Sequence, residues 1–176
     1  PKVLARAGHH WHEMKSNAQA DFVISMNPNK RIFVARLENR GFVDQRLIRM
    51  SVSGSVSEAE MQLYHALMNS TLGLFFIESS GFGRGLGALD LNASKLREHL
   101  LILDPSKVSK ANRKRIVETF EPMLNRKVLP LDQELEKTDR RNFDQVVLDA
   151  LNVGHFGDRI KNSLLGLYRM RLTVVD

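Results

Sequence analysis

The chain has 176 residues, of which 43% are hydrophobic, with a formal net charge of +6 and no cysteine. This composition supports a buried core and excludes a largely disordered chain, disulfide bonds, thiol catalysis and thiolate metal ligands. The sequence contains no apolar run long enough to cross a membrane and no signal peptide, so we expect a cytoplasmic protein without membrane contact.

The positive charge is concentrated in two blocks. Residues 1–56 carry nine Lys/Arg against four Asp/Glu, and residues 106–128 carry seven against two. Residues 57–105 are acidic, with six Asp/Glu against three Lys/Arg. Two localised basic blocks favour a polyanion such as nucleic acid as the partner, although two solvated faces explain the charge alone equally well.

Residues 20–52 predict an antiparallel meander of three strands. β-branched and aromatic residues and the alternation of apolar and polar positions near its end support this prediction. The two turns are Asn27-Pro28-Asn29 and Asn39-Arg40-Gly41, and the arginines of the strands are expected to face solvent. The predicted strands cover residues 22–24, 31–36 and 48–52.

An amphipathic helix is predicted after Ser57. Ser57-Glu58-Ala59-Glu60 is a capping box, in which the serine hydroxyl accepts a backbone N–H and the glutamate three residues on reaches back. Residues of one face then recur at intervals of three and four, which is helical spacing. These residues are Met61, Tyr64, Leu67, Met68, Thr71 and Leu72.

Four glycines at alternate positions, residues 81, 83, 85 and 87, follow this helix. They do not fit a dinucleotide-binding loop, because no helix is predicted to open after them, and no Lys-Ser/Thr completes a P-loop. A backbone without side chains can approach another molecule closely, and a tight turn with positive φ angles is the alternative. Arg84 is the one charged residue between the glycines.

Short elements follow the glycines. Leu89–Leu91 is expected to be extended, and Asn92 is expected to cap a short helical turn that reaches Arg97. Leu100–Leu103 predicts a buried strand that ends at Asp104-Pro105.

The remainder of the chain predicts three longer helices. The first ends or restarts at Pro122, the second is capped by Thr138 and closes at Asn152-Val153-Gly154, and the third is the last element. The sequence therefore predicts an α+β fold, with N-terminal antiparallel strands and a packed helix before a helical C-terminal part. We expect two domains, an α+β domain over residues 1–105 and a helical subdomain over residues 106–176.

The start of the first C-terminal helix is basic, with Lys110, Arg113 and Lys114 in its first turns. Cations are unfavourable at a helix N-terminus because they oppose the helix dipole, and an external anion would relieve this. An ordinary solvated face is the alternative.

The sequence contains no pattern that is typical of a metal site or of a catalytic site. The cluster His9-His10-Trp11-His12 cannot direct three imidazoles at one ion from a regular element, and no carboxylates complete it. The other histidines are isolated and show no Ser/His/Asp arrangement. We therefore predict no metal site and no catalytic residues.

One series of motifs along the chain resembles a region of a known protein family. Leu67-Met68-Asn69-Ser70-Thr71 opens an apolar run to Glu78, and a glycine-rich loop then ends in Gly85-Leu86-Gly87-Ala88-Leu89-Asp90-Leu91. This order resembles the C-terminal target-recognition region of the large adenine-specific DNA methyltransferases of bacterial restriction-modification systems. Four further segments look like parts of the same region: residues 6–11, 100–105, 140–144 and 168–171.

The resemblance implies that this chain is the DNA-recognition part of a larger enzyme. The family's catalytic motif, Asn/Asp-Pro-Pro-aromatic, holds a flipped adenine. Its nearest match here, Asn27-Pro28-Asn29, lacks the second proline and the aromatic residue. The S-adenosylmethionine-binding loop is also missing. We therefore expect the methyltransferase catalytic domain and its cofactor upstream of Pro1, and neither enzymatic activity nor a cofactor in this chain.

The expected partner is double-stranded DNA. Lys and Arg side chains and exposed backbone N–H groups would bind its phosphates, and polar side chains would bind the edges of its bases. Asn39 and Arg84 are the candidates for base contact. An alternative is a protein-interaction module that docks a catalytic or specificity subunit without touching DNA, and a free-standing phosphate-ester enzyme is disfavoured. The predicted DNA-binding residues are Lys30, Arg31, Arg36, Asn39, Arg40, Arg46, Arg49, Gly83, Arg84, Gly85, Lys110, Arg113 and Lys114.

Overall fold

A computed structural model describes residues 19–100 and 105–173. Over these residues the chain is α+β, as predicted, with an antiparallel sheet at the N-terminal end and helices after it. The cluster His9–His12 and residues 101–104 of the predicted buried strand lie outside the described residues. None of the described helices is long and apolar enough to cross a membrane.

The sheet contains three antiparallel strands, β1 (Gln19–Ser25), β2 (Ala35–Phe42) and β3 (Leu47–Met50). Their order is β2-β1-β3, so β1 is central and the predicted meander, with its second strand in the middle, is wrong. The run from Ala20 to Ile24 is buried at every position, as expected for a strand that is covered on both faces and paired on both edges.

The predicted second strand begins late, at Ala35, because Val34, the residue before it, bonds to a side chain instead of a strand. The N–H of Val34 donates to Oδ1 of Asn69, and Nδ2 of Asn69 donates to the Val34 carbonyl, each at 2.9 Å. The predicted turn at Asn39–Gly41 lies inside β2, next to a register shift between Ala20 and Phe22 of β1.

Two helices replace the single helix predicted after Ser57. Helix α1 (Glu58–Asn69) begins with the predicted capping box, and α2 (Thr71–Ser80) follows after Ser70. Ser70 has an extended backbone, and its hydroxyl accepts the N–H of Gly73 at 3.1 Å. A Cβ on Gly73 would lie 2.5 Å from the Leu67 carbonyl oxygen, so this glycine permits the tight corner between the helices.

A hairpin and a short helix follow α2. The hairpin consists of β4 (Phe82–Arg84), a 3-10 turn (Gly85–Gly87) and β5 (Ala88–Asp90). Asn92 caps α3 (Ala93–His99) as predicted, since its Oδ1 accepts the N–H groups of Ser94 and Lys95.

Four helices form the C-terminal part: α4 (Lys110–Leu124), α5 (Leu131–Glu134), α6 (Thr138–Ala150) and α7 (Gly157–Thr173). Pro122 lies inside the last turn of α4 and does not end it. Thr138 is the first helical residue of α6 and makes no cap, because the cap position belongs to Lys137. The one-turn helix α5 was not predicted.

Two clusters form the core. The first joins the sheet to α2, α3, α5 and α7, and the second joins α1, α4 and α6. Phe22 and Leu164 share the first cluster, while Leu67 and Phe143 share the second. Each cluster therefore contains residues from both sides of residue 105, and the division into two domains there stays a prediction.

Candidate nucleic-acid interface

The glycine-rich stretch is the β4–β5 hairpin, which has a three-residue turn. Leu86 and Gly87 have φ angles of 66° and 71°, so the turn has the left-handed conformation that was the alternative for this stretch. The tip is open to solvent: Leu86 is 78% exposed, and a Cβ on Gly85 would meet nothing within 4 Å. The tip of the hairpin is therefore apolar and exposed to solvent.

The inner side of the hairpin packs on α7. A Cβ on Gly83 would lie 3.2 Å from Cβ of Arg171, and a Cβ on Gly87 would lie 2.6 Å from Cδ2 of Leu172. These two glycines permit close approach to the protein's own helix. Of the two glycines predicted to contact DNA, Gly83 is exposed but would direct a Cβ at Arg171, and Gly85 would direct a Cβ into open space.

Arg171 joins three segments beneath the hairpin. Its guanidinium, which is buried, pairs with Glu78 of α2 at 2.7 Å and donates to the carbonyl of Gly87. It also donates to the carbonyl of Asn29 at 2.8 Å. The side chain of Glu78 is only 1% exposed, so this ion pair lies inside the molecule and is not a surface site.

The loop after β1 lies beside the hairpin. The N–H of Leu89 donates to the Pro28 carbonyl at 2.8 Å, and Nδ2 of Asn29 donates to the Leu86 carbonyl at 3.3 Å. Lys30 and Arg31 follow directly in this loop and are exposed. These bonds hold Pro28 and Asn29, the residues directly before these two cations, against the hairpin.

Two further cations border the same region. The N–H of Met26 donates to the Arg46 carbonyl at 2.9 Å, which places the backbone of Arg46, an exposed residue, beside the start of the loop. Nζ of Lys95, in α3, lies 6.0 Å from the ring centre of Phe82, which is 54% exposed. We call the group Lys30, Arg31, Arg46, Arg84 and Lys95, with the exposed Phe82 and Leu86, the basic corner.

Arg84 is the member of the basic corner that lies on the hairpin itself. Its Nε contacts Oδ2 of Asp90 across the hairpin at 3.0 Å, and its side chain remains 64% exposed. Since Asp90 is 17% exposed, the pair presents mainly the guanidinium to solvent. The cation is thus held by β5 and remains accessible.

Sequence reasoning missed three members of the basic corner: Phe82, Leu86 and Lys95. The signal for Phe82 and Leu86 is an aromatic and an aliphatic residue between the glycines, since such residues on a turn are exposed when nothing covers them. Lys95 has no local signal, because its position over Phe82 depends on how α3 packs.

Besides Arg84, two further predicted arginines are bound to carboxylates. Arg36 makes two bonds to Glu58, at 2.7 and 2.6 Å, and these hydrogen bonds raise the pKa of Arg36 and lower the pKa of Glu58. Nε of Arg40 lies 2.9 Å from Oδ1 of Asp21, and its side chain is 51% exposed. Asn39, predicted for base contact, is exposed in the irregular part of β2.

The remaining predicted residues lie on other elements. Arg49 is exposed on β3, an edge strand. Helix α4 carries Lys110, which is exposed, Arg113, whose Nε donates to the Val108 carbonyl at 2.8 Å, and Lys114, 3.6 Å from Glu118. Because α4 packs on α1 and α6 while the hairpin packs on α7, the predicted cations form at least two groups.

Residues 6–11 of the family resemblance lie outside the described residues, whereas residues 140–144 and 168–171 both contact the run 67–78. Asp144 accepts the N–H of Thr71 at 2.7 Å and the Thr71 hydroxyl at 2.5 Å. Nε of Arg140 pairs with the same carboxylate at 2.7 Å. Together with the Glu78–Arg171 pair, this network ties the Asn-Ser-Thr corner and the apolar run to the two closing helices.

Within residues 19–100 and 105–173, no group of three His, Asp or Glu side chains is arranged to hold a metal ion. No protein-family model, curated protein or solved structure matches the chain.

Proposed function

We propose that this chain is the DNA-binding target-recognition part of an S-adenosylmethionine-dependent, adenine-specific DNA methyltransferase of a bacterial restriction-modification system. It positions duplex DNA in the cytoplasm for an upstream catalytic domain, which supplies the cofactor and the methyl transfer. The chain itself performs no chemical step.

The basic corner is the observation that carries this proposal. Arg84 lies on the exposed hairpin and Lys95 lies over its Phe82, while backbone hydrogen bonds connect the segments that carry Lys30, Arg31 and Arg46 to it. Asp90, the acid paired with Arg84, is 17% exposed. Lys and Arg side chains bind phosphates and release the counterions of DNA, so a cluster of them supplies sequence-independent affinity. The exposed Phe82 and Leu86 add the apolar surface that contacts bases or sugars when a duplex is deformed.

The resemblance of the motifs supports the same proposal. Two of its closing segments bond to the run 67–78, one through Asp144 to Thr71 and the other through Arg171 to Glu78, and Arg171 lies beneath the hairpin. A recognition loop needs a rigid support, because base and phosphate contacts depend on placement within a fraction of an ångström. The buried ion pair between Arg171 and Glu78 supplies such a support.

Replacing Arg84 with alanine is expected to weaken duplex binding by about tenfold in about 0.1 M salt, because one phosphate contact contributes about 0.9 to the salt slope. Fluorescence anisotropy with a labelled duplex at several salt concentrations measures this loss, which should shrink as salt rises. Lys114→Ala is the matched control, since Lys114 is 79% exposed and lies on α4. Equal losses for the two variants, or none for Arg84→Ala, would remove the hairpin from the interface.

A protein-interaction module is the second candidate. The ion pairs of Arg36 and Arg40 favour it, since these cations of the first basic block are bound to Glu58 and Asp21. Such a module would dock a catalytic or specificity subunit without direct DNA contact. Duplex binding that is absent at low salt would favour this candidate over the first.

A further inference from the structure

A groove runs between the segment 32–36 and the C-terminal half of α4. It consists of two adjoining cavities of about 590 Å³ and about 270 Å³. Arg36, His65, Phe120 and Leu124 line both cavities, which makes the groove continuous. We call it the α4 groove, and it shares no residue with the basic corner.

Two large apolar side chains are exposed in the walls of the α4 groove. Phe33 is 43% exposed and Leu124 is 55% exposed. Phe120 and Met123 continue the apolar surface between them. Adjacent exposed apolar side chains in a concave surface are typical of sites that bind another protein or a ligand.

The arginines of the groove pair with carboxylates of the protein itself. Arg36 is bound to Glu58 as described above. Arg126 pairs with Glu134 at 2.6 Å and with Asp139 at 2.5 Å, and these hydrogen bonds hold the pKa of Arg126 above its usual range. Arg140, in the smaller cavity, pairs with Asp144. Each of these guanidinium groups therefore has a carboxylate partner, and the Nε of Arg36, which makes no hydrogen bond, is buried.

Two carboxylates of the larger cavity are not neutralised. Glu38 and Glu121 are exposed, and neither has an ion-pair partner within the described part of the chain. The α4 groove therefore combines an apolar surface with a net negative rim. A phosphate would be repelled here, whereas a lysine or arginine would be attracted.

We propose that the α4 groove binds a basic, apolar segment of a partner protein. An apolar side chain of that segment lies against Phe33 and Leu124, and its Lys or Arg side chains pair with Glu38 and Glu121. The charge complementarity selects a protein segment over nucleic acid. This proposal does not depend on DNA binding, and it assigns the chain a second partner at a separate surface.

A labelled short helical peptide of leucine and lysine is the probe, with binding to the full chain measured by fluorescence anisotropy. The double variant Glu38→Gln/Glu121→Gln is expected to weaken binding by about fivefold to tenfold, because two exposed ion pairs are lost. Leu124→Ser is expected to weaken it by about tenfold, because the apolar contact is lost. Thermal unfolding checks that each variant is folded.

Glu98→Gln/Asp158→Asn is the matched control, since it makes the same change of charge at two exposed positions outside the groove. Full affinity in this control, together with the losses above, supports the proposal. Three outcomes overturn it: equal loss in the control, equal binding of a peptide with serine for leucine, or no binding at about 1 mM peptide.

Discussion

Replacing Glu78 with alanine is expected to lower the free energy of unfolding by about 3–5 kcal/mol, because it leaves the guanidinium of Arg171 buried without its carboxylate. The side chain of Arg171 is 4% exposed, so water cannot replace the lost partner. Chemical denaturation followed by circular dichroism measures the loss.

Glu136→Ala is the matched control for this variant. Glu136 also pairs with a cation, Lys161, at 2.8 Å, but its side chain is 61% exposed. Removing an exposed partner costs about 1 kcal/mol or less. Similar losses for Glu78→Ala and Glu136→Ala would contradict the buried character of the Glu78–Arg171 pair.

The double variant Glu78→Leu/Arg171→Met separates the charge from the packing. It leaves no buried charge, so its loss of stability should be smaller than the sum of the two single losses. Some loss remains, because the carbonyls of Gly87 and Asn29 lose their donor. The same variant should weaken DNA binding, since the hairpin is then held by fewer bonds.

Replacing Asp144 with alanine is expected to cost a similar amount, about 3–5 kcal/mol, at the junction of α2 and α6. Arg140 is 2% exposed and would lose its carboxylate, and the N–H and hydroxyl of Thr71 would lose their acceptor. Thermal and chemical unfolding both measure this effect.

Asp149→Ala tests whether any acid of α6 has the same effect. Asp149 accepts a bond from Gln145 at 2.8 Å on the exposed side of the same helix, so its removal should change stability by less than about 1 kcal/mol. Asp144→Asn should fall between Asp144→Ala and the unmodified chain, because it keeps an acceptor for Thr71 but loses the charge. A neutral Asp144→Ala would show that the network does not stabilise the fold.

The features predicted correctly from the sequence are those that depend on neighbouring residues. The capping box at Ser57 and the cap at Asn92 each involve side-chain bonds over two or three residues. Their geometry is therefore encoded locally, and no tertiary contact is needed to form it. The α+β class was predicted correctly for the same reason, because it depends on the local periodicity of apolar residues.

The features that were predicted wrongly depend on contacts between distant residues. Asn69 takes the place of a strand partner for Val34, 35 residues away, and this shortens the predicted second strand. The strand order also depends on which edges of β1 are covered, which no local pattern in β2 or β3 specifies. Ser70 breaks the helix although the apolar spacing continues through it.

The residues of the candidate site also differ in how far the sequence alone could identify them. Charge alone identified Lys30, Arg31 and Arg84, because exposed cations in turns are visible in the sequence. It did not show that Arg36, Arg40 and Arg84 each pair with a carboxylate, or that Arg84 is the most exposed of the three. A charge count cannot separate a free cation from a paired one, and this limits prediction of a binding surface from sequence.

The most direct test of the DNA-binding proposal is the salt dependence of duplex affinity for three forms of the chain. The unmodified chain should give a negative slope of log affinity against log salt. Lys30→Ala/Arg84→Ala/Lys95→Ala should reduce that slope by about 3, while Lys110→Ala/Arg113→Ala/Lys114→Ala should reduce it by less. Duplex binding that is absent in low salt, or a slope that the first triple variant leaves unchanged, would contradict the account.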